Sequence, residues 1–232
     1  MSDGKREEIL GRIREALRDP APRHTSRHSI NEVPARVTNK TVREWLPAVP
    51  ADVEGRLALF REKSIQLKTD FHVVKGPEGV FSVLKVLRDD NRWTSLAAHH
   101  HPLIDPLVQS LGLEIVYVEQ HPDPKSMERC SAGITGCDAL IAQTGSILVT
   151  SRSAGGRALS VLPPHHVVIA TPDQLLPDLP AAFELFESKY GDRYPSFAGF
   201  ITGPSRTGDI ERIIVLGAHG PRALTVVLVE SA

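Results

Sequence analysis

The sequence predicts an α/β fold of three layers, in which helices cover both faces of a mainly parallel β-sheet. Two observations predict it. Short runs rich in β-branched residues alternate with helical segments over residues 52–189, and strands separated by helices pair in parallel through right-handed crossovers. The last predicted strands follow one another without a helix, because residues 217–221 form too short a connection. That end of the sheet is therefore predicted to turn antiparallel.

The predicted elements of the first half follow from periodicity and from helix start and stop signals. Gly76-Pro77 opens one helix and Gly112 stops another. Helices are predicted over 52–68, 76–89, 102–111 and 123–132, and strands over 71–74, 94–98 and 114–118.

The second half is predicted to contain more strand than helix. Apolar runs at 139–142 and 146–150 flank a tight turn and predict a hairpin. One long helix is predicted over 172–189, where five large apolar side chains recur. The remaining strands are predicted over 167–170, 197–201, 212–216 and 224–229.

The N-terminal segment differs from the rest, so residues 1–50 are predicted to be an appendage and residues 51–232 the α/β domain. Apolar residues at helical spacing predict an amphipathic helix over 3–18. Five prolines predict an irregular arm over 20–50, whose far end Trp45-Leu46 would anchor. The helix could pack on its own domain or dock a partner, and its pattern leaves both open.

Composition limits the class of protein. A chain of 232 residues is enough for one α/β domain with an appendage. Lys+Arg 27 against Asp+Glu 28 give a net charge of -1, so no overall field favours nucleic acid or an anionic membrane. The charged start has no signal-peptide core, and no apolar run approaches the ~20 residues of a membrane span. A cytoplasmic location is therefore expected.

Three Gly-bearing segments are the candidates for a ligand site, and the strongest is Thr202–Glu211. Ligands of open α/β sheets bind beyond the carboxyl ends of strands, and this segment follows a predicted strand. Gly203 permits a close approach of the backbone, Arg206 suits a carboxylate or phosphate, and Ser205 and Thr207 offer hydroxyls. The alternative is a turn whose polar side chains cap their own backbone.

The other two segments are shorter. In Thr144-Gly145-Ser146 the two hydroxyls could donate to a ligand oxygen, although a plain hairpin turn around the glycine explains the segment equally well. His219 lies in the last Gly-rich turn and is the best candidate for a functional imidazole, as acid, base or hydrogen-bond donor. Gly155-Gly156-Arg157 also suits an anion, but a flexible surface loop is favoured there.

No metal is predicted in this chain. Adjacent strand residues point to opposite faces, so His99-His100-His101 could offer one metal only its first and third rings. One of His165-His166 is predicted to be structural, its ring N–H bonded to a backbone carbonyl. Cys130 and Cys137 are predicted to be small buried hydrophobic residues, and two thiols are too few for a four-cysteine iron–sulfur cluster.

Four motifs resemble the LUD-domain family, named for lactate utilization. They stand in the family's order and spacing as GITGCDALIAQTGSI (133–147), LPPHH (162–166), TGPSRTGDIE (202–211) and LGAHGP (216–221). The N-terminal helix and Pro-rich arm also match the family, so the resemblance covers nearly the whole chain.

The resemblance implies a fold similar to that of ribose-5-phosphate isomerase, glucosamine-6-phosphate deaminase and the CoA transferases. It also implies a part in the bacterial oxidation of L-lactate to pyruvate, with two partner proteins that hold iron–sulfur clusters, and no cofactor in this chain. One departure concerns Gln143, where many relatives have an acidic residue. A carboxylate nucleophile of the CoA-transferase type would be absent there, and Asp209 or Glu211 could substitute for it.

Three functions are therefore considered. In the first, a subunit of an L-lactate oxidation system binds a small anionic ligand: Arg206 pairs with the anion, Ser205 and Thr207 donate hydrogen bonds, and His219 moves a proton or orients the ligand. The second is a stand-alone isomerase or acyl transferase, for which the fold alone is weak support. The third is a non-catalytic assembly or regulatory subunit that docks through its N-terminal helix. A homo-oligomer is left open in each.

Overall fold

The computed structural model describes residues 43–120, 123–191, 193–210, 213–216 and 220–230, together with residues 7, 10–12, 14 and 15. The side chains of residues 207–210 and 213–216 are outside this description, and so is most of the arm predicted over 20–50. Residues 7, 10–12, 14 and 15 are helical. Contacts divide the chain into Met1–Val42 and Arg43–Ala232, and all further statements concern the second unit.

A six-stranded sheet forms the centre of this unit, and each of its strand pairings is parallel. Strands β4 and β7 are buried along their whole length, as parallel strands covered on both faces require. In the spatial order β1-β12-β7-β4-β2-β3, the strands are β1 (Asp70–Lys75), β12 (Ala223–Glu230), β7 (His165–Ala170), β4 (Ala132–Thr135), β2 (Ser95–Ala98) and β3 (Glu114–Tyr117).

A four-stranded sheet has the order β8-β5-β6-β9. It consists of β5 (Ala139–Ile141), β6 (Ser146–Thr150), β8 (Leu175–Leu176) and β9 (Ala198–Ile201). Strands β5 and β6 pair antiparallel, which confirms the hairpin predicted for this region. Strands β10 (Arg206–Ile210) and β11 (Ile213–Leu216) form a separate antiparallel pair.

The helices complete the predicted α/β architecture, and the three-layer arrangement around a mainly parallel sheet is confirmed. They are α1 (Val53–Leu67), α2 (Gly76–Asn91), α3 (Asp105–Ser110), α4 (Pro124–Glu128) and α5 (Leu179–Tyr190). Helices α2 and α3 pack on one face of the six-stranded sheet. Helix α1 and the four-stranded sheet share a core with the other face. Among the described residues, no helix is long and apolar enough to cross a bilayer.

Local capping explains why the predicted starts of α1 and α2 are accurate. The Asp52 carboxylate accepts the backbone N–H of Gly55 at 2.6 Å and begins α1, which satisfies a donor that the first turn leaves free. Helix α2 begins with the predicted Gly-Pro pair, where the missing N–H of proline costs nothing.

The single helix predicted over 172–189 is wrong in its first part. Residues Pro172–Gln174 form a 3-10 turn, and Leu175–Leu176 pair with β5 as strand β8. The helix begins only after Asp178, whose carboxylate accepts the N–H of Ala181 at 2.8 Å. Pro177 disfavours helical geometry in the residue before it, and pairing with β5 buries Leu175.

The helix predicted over 123–132 ends early, and a central strand follows that the sequence analysis missed. This strand, β4, is only four residues long and contains Gly133, a residue that usually weakens strands. A Cβ on Gly133 would lie 2.6 Å from the Leu159 carbonyl oxygen and 2.9 Å from the Pro163 Cγ. The glycine is there because neighbouring chain segments approach closely.

The antiparallel end predicted for the sheet is also wrong, because β12 pairs in parallel with both β1 and β7. The two consecutive strands recognised near the C-terminus do not share a sheet: β11 pairs with β10 outside the six-stranded sheet, and β12 inserts within it. Half of the predicted ligand loop, Arg206–Ile210, is therefore strand β10.

Trp45 does not anchor the segment before α1, since its side chain is 85% exposed. The contacts come from other residues: Arg43 Nε donates to Asp178 Oδ2 at 2.8 Å, and Gln143 Nε2 donates to the Pro47 carbonyl at 2.7 Å. The Gln143 amide thus holds the chain that leads into the domain.

Candidate functional site

The predicted Gly-bearing segments meet at the amino end of the six-stranded sheet, beside the last turn of α1. A Cβ on Gly145 would lie 2.8 Å from Leu67 Cδ1, and one on Gly203 would lie 3.0 Å from the Leu67 carbonyl oxygen. The Arg206 guanidinium donates to that same carbonyl. The structure therefore brings Gly145, Gly203 and Arg206 around a single residue.

Two hydrogen bonds join the described parts of these segments. Ser146 Oγ and Thr202 Oγ1 are 2.8 Å apart, and the Ser205 N–H donates to the Pro221 carbonyl at 2.9 Å. Thr144 Oγ1 is buried and has no hydrogen-bond partner among the described residues. These contacts hold the segments together, and a ligand role for them remains a prediction.

The other predicted site residues have no described side chain. Thr207 and Asp209 belong to the part of β10 whose side chains are not described, and Glu211 and His219 lie outside the described residues. The rule that directed attention to Thr202–Glu211 concerns the large parallel sheet. The strand before this segment, β9, belongs to the four-stranded sheet instead.

A cleft of about 440 Å³ lies at the carboxyl edge of the six-stranded sheet, and we call it the carboxyl-edge cleft. Its lining comes from the segments that follow β2, β4, β6 and β7 and from the end of α5, and includes His101, Gly136, Arg152, Ser153, Thr171, Asp173, Lys189 and Tyr190. Open α/β proteins bind ligands at this edge, and the volume is within the usual range of small-molecule sites.

A buried carboxylate holds the α5 side of this cleft in place. Asp138 Oδ1 accepts hydrogen bonds from Lys189 Nζ at 2.6 Å and from the Tyr190 hydroxyl at 2.5 Å. The Asp138 side chain is 1% exposed, whereas that of Lys189 is 47% exposed. The Tyr190 hydroxyl also lies 3.1 Å from Thr150 Oγ1. A carboxylate buried to this degree requires such partners.

Burial and hydrogen bonding act in opposite directions on these groups. Burial raises the pKa of Asp138, but hydrogen bonds from Lys189 and Tyr190 lower this pKa and outweigh burial. The pKa of Asp138 therefore lies below the usual 3.8. Burial lowers the pKa of Lys189, and the bond to Asp138 raises it above 10.5. Burial and the same carboxylate raise the pKa of Tyr190 above 10.0. At neutral pH the wall therefore contains a carboxylate, an ammonium and a protonated phenol.

The rest of the cleft contains hydrogen-bond donors on His101 and Arg152, together with the Asp173 carboxylate. His101 Nδ1 accepts the N–H of Leu103 at 3.2 Å, so the neutral ring carries its proton on Nε2. The Arg152 guanidinium lies 5.3 Å from the centre of the Tyr190 ring, and one of its nitrogens donates to the Arg193 carbonyl at 2.9 Å. Donors of this kind suit the oxygen atoms of an anion.

The sequence analysis did not select Arg152, Lys189 or Tyr190. Asp138 follows β4, and recognition of that strand would have directed attention to its carboxyl end. For Lys189 and Tyr190, at the end of an amphipathic helix, the sequence contains no signal that separates them from ordinary surface residues.

The paired histidines both bond to threonine hydroxyls. The prediction that one of them would bond to a backbone carbonyl is therefore wrong. His165 Nε2 lies 2.9 Å from Thr225 Oγ1, and His166 Nε2 lies 2.8 Å from Thr135 Oγ1. Strands β12 and β4 flank β7 and present these threonines on the matching faces. Burial lowers the pKa of His165 to about 4 and that of His166 to about 3, so both rings are neutral.

These two histidines are expected to make the fold sensitive to acid. The unfolded chain protonates them below about pH 6.5, whereas the folded chain does so only near pH 4 and pH 3. Stability present above pH 6.5 is therefore lost as the pH falls, by about 2 kcal/mol per histidine at pH 5. Urea unfolding of wild type and of His166→Phe at pH 7 and pH 5 measures this. Between pH 7 and pH 5, the free energy of unfolding of His166→Phe should fall by about 2 kcal/mol less than that of wild type. Equal falls in the two proteins would contradict the explanation.

The cysteines are buried and free, which confirms the prediction for both. Burial raises the pKa of Cys130 and of Cys137, so both remain thiols at neutral pH. In the His99–His101 run, the first and third rings lie 5.7 Å apart while His100 stacks on Tyr117. Within the described part of the chain, no group of three or more His, Cys, Asp and Glu side chains is arranged to hold a metal ion.

Comparison with known proteins places these features in a family context. The LUD domain model matches residues 97–229. Lactate utilization protein C of Halalkalibacterium halodurans is 32% identical over 138 residues, which are 54% of this chain and 60% of the relative. That of Deinococcus radiodurans is 31% identical over 121 residues, or 52% of this chain and 56% of the relative. The chain thus matches little more than half of these relatives' length.

A solved structure has the same fold. The crystal structure of a DUF162 family protein from Deinococcus radiodurans aligns with a TM-score of 0.61 and 23% sequence identity. The alignment covers 78% of this chain and 99% of that one. At this identity the likeness concerns the fold alone, and it agrees with the parallel sheet described above.

Proposed function

The chain belongs to the LUD domain family, and from this we propose that it is a component of a bacterial L-lactate utilization system that binds a small anionic ligand in the carboxyl-edge cleft. The names of its relatives support the metabolic role. The position of the cleft at the carboxyl edge of the parallel sheet supports the binding role.

The observation that carries the ligand class is the pair of cations beside Tyr190. Lys189 Nζ and Arg152 Cζ lie 5.5 Å and 5.3 Å from the centre of its ring. Lys189 already pairs with Asp138. No carboxylate pairs with Arg152 among the residues that the structure describes, so the N–H groups that it does not donate to Arg193 can donate to a carboxylate or phosphate.

In this proposal, electron transfer belongs to two iron–sulfur partner proteins, and this chain binds and orients the anion. Oxidation of L-lactate to pyruvate releases two electrons, which need an acceptor. Thiolates are the usual ligands of iron–sulfur clusters, and both cysteines of this chain are buried thiols with a raised pKa. That observation supports the division of roles.

Removal of the Arg152 charge is expected to weaken anion binding by about tenfold or more, because a charge-assisted bidentate bond is lost. Calorimetric titration of wild type and Arg152→Ala with L-lactate, pyruvate and inorganic phosphate measures this. Arg157→Ala is the matched control, since Arg157 is an exposed arginine of the same loop and does not line the cleft. It should bind as wild type does.

Growth on L-lactate tests the metabolic role in the same variants. A strain that carries Arg152→Ala in place of its own copy should grow more slowly than one that carries Arg157→Ala. Equal growth, together with no binding of any of the three anions, would reject the proposal. Turnover of a sugar phosphate or an acyl thioester by the purified chain alone would instead support the stand-alone isomerase or transferase.

A further inference from the structure

Another cavity, of about 380 Å³, lies between the two sheets at the amino end of the large one, and we call it the amino-end cavity. His166 and Leu224, the second residues of β7 and β12, line one side, and residues 199–201 of β9 line the other. Residues 202–205 and Gly220-Pro221 also line it. It is distinct from the carboxyl-edge cleft, which lies at the opposite end of β7.

The lining of this cavity is apolar and uncharged. Val161, Phe197, Ile201 and Leu224 contribute its large apolar side chains, and no Lys, Arg, Asp or Glu side chain lines it among the described residues. Val161 remains 39% exposed. A concave lining of large apolar side chains, one of them exposed, is typical of a place where an apolar molecule binds. Because the described lining carries no charge, a neutral ligand is favoured.

One polar group of the lining is the imidazole of His166, which is completely buried. Its Nε2 bonds to Thr135 Oγ1 at 2.8 Å, while its Nδ1 has no hydrogen-bond partner among the described residues. Buried polar atoms are nearly always paired. The neighbouring His165 also has an unpaired Nδ1, but its ring packs against Trp93 at 5.2 Å and does not line the cavity.

We propose that the amino-end cavity binds a neutral small molecule with an apolar body and a single hydroxyl or carbonyl group, which hydrogen-bonds to His166 Nδ1. A neutral ring nitrogen accepts from a hydroxyl in one tautomer and donates to a carbonyl in the other. The apolar walls bury the body of the ligand, and the imidazole selects for the polar group. This site is independent of the anion site proposed above.

The size of the cavity suggests the probes. An apolar cavity of about 150 Å³ holds benzene in another protein, so a cavity of about 380 Å³ accommodates a fused two-ring molecule. The matched pair is 2-naphthol and 2-methylnaphthalene, which differ by a hydroxyl in place of a methyl group. Fluorescence titration of the full chain should show about fivefold tighter binding of 2-naphthol, the value of one hydrogen bond.

His166→Phe should lose the preference for 2-naphthol and bind 2-methylnaphthalene at least as tightly, because the ring is kept, its nitrogens are lost and the naphthol hydroxyl has no partner. Binding of neither probe by wild type, equal affinity for both, or an unchanged preference in His166→Phe would each overturn the proposal.

A rim variant tests the location without altering the buried sheet. Val161→Asp places a carboxylate at the mouth and should weaken both probes by about tenfold, because an apolar contact is replaced by a hydrated charge. Val86→Asp, on an exposed position of α2 outside this cavity, should bind both as wild type does. If Val161→Asp also binds both as wild type does, the probes occupy another site and the proposal fails.

Discussion

Lys189→Met is expected to destabilise the fold by about 2–3 kcal/mol at pH 7, because it leaves the Asp138 carboxylate buried without its cation. The Asp138 side chain is 1% exposed, and Lys189 Nζ is 2.6 Å from its Oδ1. This loss of stability is smaller than that from breaking a fully buried ion pair, because the Lys189 side chain is half-exposed and water partly screens the interaction. Urea unfolding at pH 7 measures it.

Replacing the carboxylate instead of the ammonium should destabilise the fold less. In Asp138→Asn the amide oxygen can still accept from Tyr190, and Lys189, being 47% exposed, can turn to solvent. We expect a loss of about 1 kcal/mol. If Asp138→Asn costs as much as Lys189→Met or more, an uncompensated buried carboxylate does not explain the effect.

The same pair predicts a dependence on pH. Because the pKa of Asp138 lies below 3.8 in the folded chain, its contribution is present above pH 3.8 and is lost as the pH falls through the lower value. The deficit of Lys189→Met should therefore be largest at neutral pH and should shrink below about pH 4, where the carboxyl takes up a proton in the variant. A deficit that grows in acid would contradict the assignment.

Gly155→Ala is expected to destabilise the fold by about 3 kcal/mol, through backbone strain and overpacking together. Gly155 has a φ of +61°, and a Cβ there would lie 2.2 Å from His99 Cβ and 2.7 Å from His99 Cγ. His99 is buried, and atoms so close to its backbone cannot move aside. The melting temperature should fall by roughly 6–12 °C.

Gly112→Ala separates the two causes. Gly112 has a similar φ of +66°, but a Cβ there would meet no atom within 4 Å. Only the strain remains, so the loss should be about 1 kcal/mol. Equal melting temperatures for the two variants would show that contact with His99 does not matter. Because the loop of Gly155 carries Arg152, Gly155→Ala should also weaken anion binding in the carboxyl-edge cleft.

The candidate site was only partly accessible from the sequence. Motifs identified segments that do meet, and the structure places Gly145, Gly203 and Arg206 around Leu67. The chemistry of the carboxyl-edge cleft was missed because its members are ordinary residues that become unusual only together. Asp138 and Lys189 are 51 positions apart, and neither is distinctive until the carboxylate is buried beside the ammonium.

The sequence by itself determined the helices that begin with strong local signals, the β5–β6 hairpin, and the α/β class. Caps such as Asp52 and the Gly76-Pro77 start act within a few residues, so a local pattern contains all the information that they need. Only the tertiary structure decided that β12 lies between β1 and β7, that Gly133 belongs to a central strand, and which edge carries the cleft. Strand order depends on contacts between distant segments, and no local periodicity encodes which strands become neighbours.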